Sequence, residues 1–174
     1  MTLLWQLSAI DQAAGVREGR FTARTLVESV LERVALKNPE LNAIVDPLAE
    51  QALLAADKAD AAVASGEQLG CLHGVPVTVK VNVDTKGRPT TNGMEVFKDV
   101  FAPDNSPIVQ NLLNAGAIII GRTNTPEMSM RLTTDNPLYG LTRNPWSLDM
   151  SPGGSSGGAA ASAAAGFGAI HHGN

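Results

Sequence analysis

Two features of the sequence could carry chemistry. One is a lysine that follows an apolar run, Val75–Val79 (VPVTV), which leads directly into Lys80. A β-branched run of this kind is typical of a buried strand. Burial disfavours the charged form of a lysine and lowers its pKa, so Lys80 could act as a general base. By itself, a lysine at a strand end more often reaches only solvent.

The second feature is the glycine- and serine-rich stretch 151–158 (SPGGSSGG), which precedes the alanine-rich stretch 159–166 (AAASAAAG). A Gly/Ser run is more often a linker or a tight turn. Here, however, a helix with almost no side-chain bulk follows, so neighbouring backbone can approach closely and the helix start can lie deep in the fold. Backbone N–H groups at a helix N-terminus favour developing negative charge. Serines at this position are well placed for acyl transfer.

Three mechanistic templates can be compared with this stretch. A phosphate-binding loop requires Lys-Ser or Lys-Thr after its last glycine, where Ala159 stands instead. Residues 154–158 match the G-x-S-x-G elbow of α/β-hydrolases with Ser156 as the nucleophile. That template needs an acid and then a histidine downstream, but only His171 and His172 follow and no acid does. A serine and lysine arrangement remains, with a neutral Lys80 as the base.

Composition narrows the class of protein. Among 174 residues, 44% are hydrophobic and 17% charged, and the net charge is -4. No basic stripe stands out, so the sequence predicts no nucleic-acid partner and no membrane partner. The N-terminus lacks a signal-peptide pattern, and Cys71 is a single cysteine that cannot form an internal disulfide. We therefore expect a cytoplasmic protein.

No metal site and no cofactor site is predicted. The three histidines are His73, His171 and His172, and none has a carboxylate or cysteine nearby at ligand spacing.

The order of elements predicts an α/β fold, because helical and strand patterns alternate from residue 40 onward. Residues 1–69 form a helix-rich N-terminal region, and residues 70–174 carry short strands punctuated by Gly and Pro. Predicted helices run from Ser8 to Glu18, Thr22 to Pro39, Asp46 to Gly66, Ser106 to Gly116, and about Gly158 to Ala165. Predicted strands are Leu41–Val45, Val75–Val79, Ala117–Ile120 and one that starts within 167–170.

Four segments together resemble the amidase signature family, in order and at plausible spacing. They are GVPVTVKVNVDTKG (Gly74–Gly87), GRTNTPEMS (Gly121–Ser129), TDNPLYGLTRNPW (Thr134–Trp146) and SPGGSSGGAAASAAAG (Ser151–Gly166). The resemblance implies an amidase-signature fold, with a mixed central sheet flanked by helices. It also implies that residues 1–174 are the N-terminal part of one domain, incomplete because the chain ends early.

The resemblance also implies a Ser-Ser-Lys triad. Lys80 matches the catalytic lysine, and Ser155 matches the bridging serine, which in this family follows a cis peptide bond. Lys80 would take a proton from Ser155, and Ser155 one from the nucleophile. Ser156, Gly154 and Asn82 would support the site. The nucleophilic serine and the oxyanion hole are expected beyond Asn174, so the chain alone is expected to be inactive.

Three functions follow as hypotheses. The first is an amide hydrolase that converts a small-molecule carboxylic amide and water to an acid and an amine or ammonia. The second, within the same family, is the glutaminase subunit of a tRNA-dependent amidotransferase, which needs partner subunits. The third is a truncated, non-catalytic product acting as an inert or interaction domain. A chain cut within its core would expose sheet edges and favour a homo-oligomer.

Overall fold

The computed structural model describes residues 3–174. Met1 and Thr2, with which the predicted helix-rich region begins, lie outside the described residues. The helices are α1 (Ala9–Arg17), α2 (Ala23–Leu41), α3 (Ala49–Ser65), α4 (Pro107–Asn114) and α5 (Gly157–Ala165), and the strands are β1 (Ile44–Pro47), β2 (Pro76–Lys80), β3 (Ile118–Thr123) and β4 (Ile170–His171). Short 3-10 turns occupy Leu4–Gln6, Glu95–Phe97 and Glu127–Ser129.

The four strands form one mixed sheet in the order β1-β3-β2-β4. β2 runs parallel to both β3 and β4, whereas β1 runs antiparallel to β3. The prediction of an α/β fold with a mixed sheet flanked by helices is confirmed. The region 1–69 is not purely helical, because it contributes β1 to this sheet.

Two apolar clusters surround the central strands. The larger one joins α2, α3 and α5 to Ile118 and Ile120 of β3, and the smaller one joins α1 and α4 to Val77 of β2. Every residue of β2 is buried, including Lys80 at its end. Helices on a parallel strand pair explain this burial, since each β-α connection returns across a sheet face. None of the helices within residues 3–174 is long and apolar enough to cross a membrane.

The predicted end of α2 at Pro39 is wrong. The helix continues through Pro39 to Leu41 and ends at Asn42, whose φ of 51° is left-handed. A proline this close to a helix end removes a backbone hydrogen bond but costs little stability, because a side-chain contact holds the last turn. The Asn38 side chain accepts from the backbone N–H of Ile44 and donates to the carbonyl of the same residue, at 2.9 and 2.8 Å. This contact ties the last turn of α2 to β1.

The predicted start of α3 at Asp46, where Asp-Pro resembles a cap followed by proline at the first helical position, is also wrong. Asp46 and Pro47 lie in β1, which begins at Ile44, three residues after the start of the predicted strand Leu41–Val45. The helix α3 begins only at Ala49. The Asp46 carboxylate instead accepts from Arg88 and from Arg122, its register partner in β3. The local cap pattern was overridden by a distant charge that needs a counter-ion.

Arg122 is fully buried, in a strand that extends past the predicted Ala117–Ile120. Burial lowers the pKa of its guanidinium to about 10, so it stays charged at neutral pH. Besides Asp46, at 3.2 Å, it donates to the carbonyls of Val81, Val83 and Pro89 at 3.2, 3.2 and 2.9 Å. The guanidinium therefore fixes the chain that follows Lys80.

We predict that Asp46→Asn destabilises the protein strongly. Removing one partner of a buried ion pair leaves the other charge buried and uncompensated, which costs about 3–5 kcal/mol. Urea unfolding measures the change. The matched control is Asp57→Asn, which breaks an exposed 2.7 Å pair with Arg24 and should have almost no effect, as is usual for surface pairs. Equal effects of the two substitutions would contradict the role given to Asp46.

Candidate functional site

The candidate site lies at the carboxyl end of β2, where the chain places Lys80. This side chain is fully buried. Its Nζ donates to Ser155 Oγ at 2.8 Å and to Ser156 Oγ at 3.2 Å, two hydroxyls that precede α5. The strand and the glycine-rich stretch, which the sequence singled out separately, thus meet at one amine.

The environment of Lys80 favours its neutral form. Burial lowers the pKa of the amine from its usual value near 10.5 to about 8. Within residues 3–174, no Asp or Glu side chain pairs with Lys80. Without a nearby carboxylate, nothing offsets the desolvation of the ammonium. Near pH 8 about half of the molecules therefore carry an amine that can accept a proton.

The stretch before α5 is a closely packed loop and not a flexible linker. The peptide bond between Gly154 and Ser155 is cis. A Cβ atom on Gly154 would lie 2.7 Å from the Arg131 carbonyl oxygen and 2.8 Å from the Leu132 carbonyl carbon. Only glycine fits there, because the segment around Arg131 crosses directly against the loop.

The start of α5 lies deep in the fold, as its small residues predict. A Cβ on Gly158 would lie 2.5 Å from the backbone nitrogen of Asn124, the residue after β3. Buried Thr134 holds the loop from the other side, since its hydroxyl donates to the Gly153 carbonyl at 2.9 Å and accepts from the Gly157 N–H at 3.1 Å. This hydroxyl fixes the loop on both sides of the two serines.

Asn82, a predicted supporting residue, shares a hydrogen-bond partner with Lys80, since both side chains lie 3.0 Å from Asn174 Oδ1. Its Nδ2 donates to Ser129 Oγ at 3.1 Å and to Asn174 Oδ1 at 3.0 Å. Ser129 Oγ lies 2.9 Å from Thr125 Oγ1, which in turn donates to the Ser155 carbonyl at 3.2 Å. Sequence reasoning missed Thr125 and Ser129. The only available signal was their place in the motif 121–129.

Asn174 is a further neighbour that sequence reasoning missed. Its Oδ1 and backbone carbonyl oxygen lie 3.0 and 3.3 Å from Lys80 Nζ. The same carbonyl accepts from Ser156 Oγ at 3.0 Å. Lys80 therefore has oxygen atoms of Ser155, Ser156 and Asn174 around one nitrogen.

His73 and His171 have different hydrogen-bond partners. His73 Nε2 lies 2.9 Å from the Ala59 carbonyl, and His171 Nδ1 lies 2.8 Å from Thr78 Oγ1. In the described part of the chain, no group of three or more His, Cys, Asp or Glu side chains could hold a metal ion. Around Lys80, the contacts with two hydroxyls allow proton transfer between an amine and a hydroxyl.

Comparison with known proteins identifies the family. The Amidase family model matches residues 25–174. The chain is 55% identical to an indoleacetamide hydrolase of Bradyrhizobium diazoefficiens over 171 residues, which are 98% of this chain and 33% of that protein. It is 41% identical over 145 residues to one subunit of the glutamyl-tRNA(Gln) amidotransferase of a Cyanothece species, covering 83% of this chain and 30% of that protein.

A solved structure has the same fold over nearly all of this chain. The 6-aminohexanoate cyclic dimer hydrolase superposes with a TM-score of 0.88 at 36% identity, over 99% of this chain and 34% of that one. The chain spans about a third of the length of the relatives that it matches. The family match over residues 25–174, with Lys80 and the loop before α5 inside it, means that this chain belongs to the amidase signature family.

Proposed function

We propose that the protein hydrolyses a small-molecule carboxylic amide to an acid and an amine or ammonia through an acyl-enzyme. The observation that supports this most is the 2.8 Å contact between Lys80 Nζ and Ser155 Oγ. It joins a buried amine of lowered pKa to a hydroxyl, which is the arrangement a proton relay needs. The reaction needs no cofactor.

In this proposal, neutral Lys80 takes the proton of Ser155 as Ser155 takes the proton of the attacking hydroxyl. The new bond joins the nucleophilic oxygen to the amide carbon. The proton then returns through Ser155 to the leaving nitrogen as the C–N bond breaks. Water then attacks the acyl carbon and gives its proton to Ser155 and Lys80. As the ester bond to the nucleophile breaks, the proton returns to the nucleophilic oxygen, which releases the acid and restores the hydroxyl.

The nucleophilic serine is proposed to lie beyond Asn174. Contacts of the Asn174 backbone support this, because its carbonyl lies 3.3 Å from Lys80 Nζ and its N–H donates to Ser156 Oγ at 3.1 Å. Chain that follows Asn174 would start beside the amine. Ser156 and Asn82 would then anchor residue 174, and Gly154 would let the loop approach. Residues 1–174 by themselves are not expected to hydrolyse an amide.

Residues 1–174 are proposed to form part of a single catalytic domain. Support comes from β1, which belongs to the region 1–69 but pairs with β3 of the region 70–174. A cytoplasmic location, the absence of nucleic-acid and membrane partners, and a homo-oligomer stay predictions.

The glutaminase subunit of a tRNA-dependent amidotransferase is the second candidate, favoured by the 41% identity to one subunit of such an enzyme. The two candidates predict different substrates. A free amidase should release ammonia from indoleacetamide, the amide named for the relative at 55% identity, without any partner. A glutaminase subunit should act on glutamine and depend on its partner subunits. Ammonia release from both amides, with and without the partner subunits, separates them.

We predict that Lys80→Met and Ser155→Ala each lower kcat for amide hydrolysis by about 100- to 10,000-fold, the range typical of lost general acid–base catalysis. Both variants interrupt the same relay, so the double variant should fall little further than either single one. Steady-state ammonia release from the full-length protein measures this. Lys98→Met, at an exposed lysine, is the matched control. Activity of Lys80→Met within a few-fold of wild type would refute the relay.

The relay also predicts the direction of the pH dependence. Lys80 must be neutral to accept a proton, so activity should be lost as pH falls below its pKa. Since burial sets that pKa to about 8, kcat/KM should rise with pH through about 8 and then level off. A pH–rate profile of the wild type tests this, and the residual activity of Lys80→Met should lack this limb. A wild-type profile that is flat from pH 7 to 9 would contradict the assignment.

A further inference from the structure

One partly buried polar contact near the relay has no role in the proposed mechanism. His171 Nδ1 lies 2.8 Å from Thr78 Oγ1, and its Nε2 lies 3.1 Å from the Gly168 carbonyl. A carbonyl can only accept, so Nε2 carries the proton and Nδ1 accepts from the threonine hydroxyl. Both ring nitrogens are thereby satisfied, and the geometry assigns the tautomer.

This contact lies on the same face of β2 as Lys80. Side chains two positions apart on a strand point to the same side, which places Thr78 beside Lys80. Thr78 is fully buried and pairs in register with His171 of the parallel strand β4. The histidine thus bridges the edge of the sheet next to the amine.

The segment 171–174 leads from this contact directly to the amine. The His172 N–H donates to the Thr78 carbonyl at 2.9 Å, and three residues after His171 the Asn174 oxygens reach Lys80. β4 has only two residues and two register pairs with β2. Such a short ladder fixes a strand weakly, so the side-chain bonds of His171 supply much of the anchorage.

His171 itself does not titrate in the range where the relay works. Burial lowers the pKa of its imidazole to about 4, so it stays neutral from pH 6 upward. Lys80 and His172 are titratable neighbours of this contact, and the pKa of His172 is lowered by burial and by the charge of Lys80. A neutral imidazole with hydrogen bonds at both ring nitrogens holds its neighbours without adding a charge to the site.

We propose that His171 is a positioning residue for the relay. Through its bonds to Thr78 and Gly168 it holds residues 171–174 against Lys80 and Ser156. This segment then shields the amine from water on that side. The inference rests on the proposed function, because it concerns the alignment of that relay. Loss of the bond would let water reach the amine and let residue 174 move away from it.

The test compares His171→Leu, Thr78→Val and their double variant in the full-length protein. We expect kcat to fall about 10- to 100-fold with KM within about two-fold, as for a displaced catalytic group. Because water would then solvate the ammonium, the limb near pH 8 should move to higher pH. The double variant should fall no further than the worse single one, since both lose the same bond. His171→Asn, whose Oδ1 can accept from Thr78, should restore part of kcat.

A buried histidine elsewhere provides the control for a purely structural role. The ring of His73 is buried and hydrogen-bonds the Ala59 carbonyl, away from Lys80, so His73→Leu should lower the thermal midpoint without moving the rising limb of the pH profile. The inference is overturned when His171→Leu and Thr78→Val behave like His73→Leu, with kcat and limb unchanged. Parallel assay of Lys80→Met separates the two proposals. Full activity of that variant rejects the relay itself, whereas its inactivity confines the failure to His171.

Discussion

The constraint on which the site depends is that Lys80 is buried without a counter-charge. An amine at the end of a fully buried strand loses its hydration, and no Asp or Glu side chain within residues 3–174 pairs with it. Oxygens of neutral groups must therefore surround it, and these come from Ser155, Ser156 and Asn174. The packed loop before α5 and the segment 171–174 both serve this one requirement.

The second buried cation shows the opposite solution. Arg122, on the neighbouring strand, keeps its charge because Asp46 lies opposite and three backbone carbonyls accept from it. Burial lowers both pKa values by a similar amount, that of Arg122 to about 10 and that of Lys80 to about 8, so only the lysine comes within reach of neutral pH. Two cations on adjacent strands thus serve different ends: a permanent charge that fixes the chain, and a lysine that can give up its proton.

Sequence reasoning succeeded where information is local. The apolar run before Lys80 and the small residues of α5 specify their elements by themselves. The motif order singled out Ser155, which lies 2.8 Å from Lys80 Nζ and whose role stays a prediction. Sequence reasoning failed where distant partners decide. Asp46 has the pattern of a cap but serves Arg122, 76 positions later. Thr125, Ser129 and Asn174 approach the site only through folding. The motif 121–129 contains the first two, but it does not indicate which of its side chains reach the site.

The separation between Lys80 and its partners has a consequence for synthesis of the chain. Ser155 and Asn174 follow the lysine by 75 and 94 positions. At about 5–20 residues per second, a ribosome takes several seconds to make them after Lys80. Until they arrive, the lysine is an ordinary hydrated cation on a nascent strand. On a growing chain, Lys80 therefore keeps its ordinary protonated state, and its pKa falls only when the later segments fold over it.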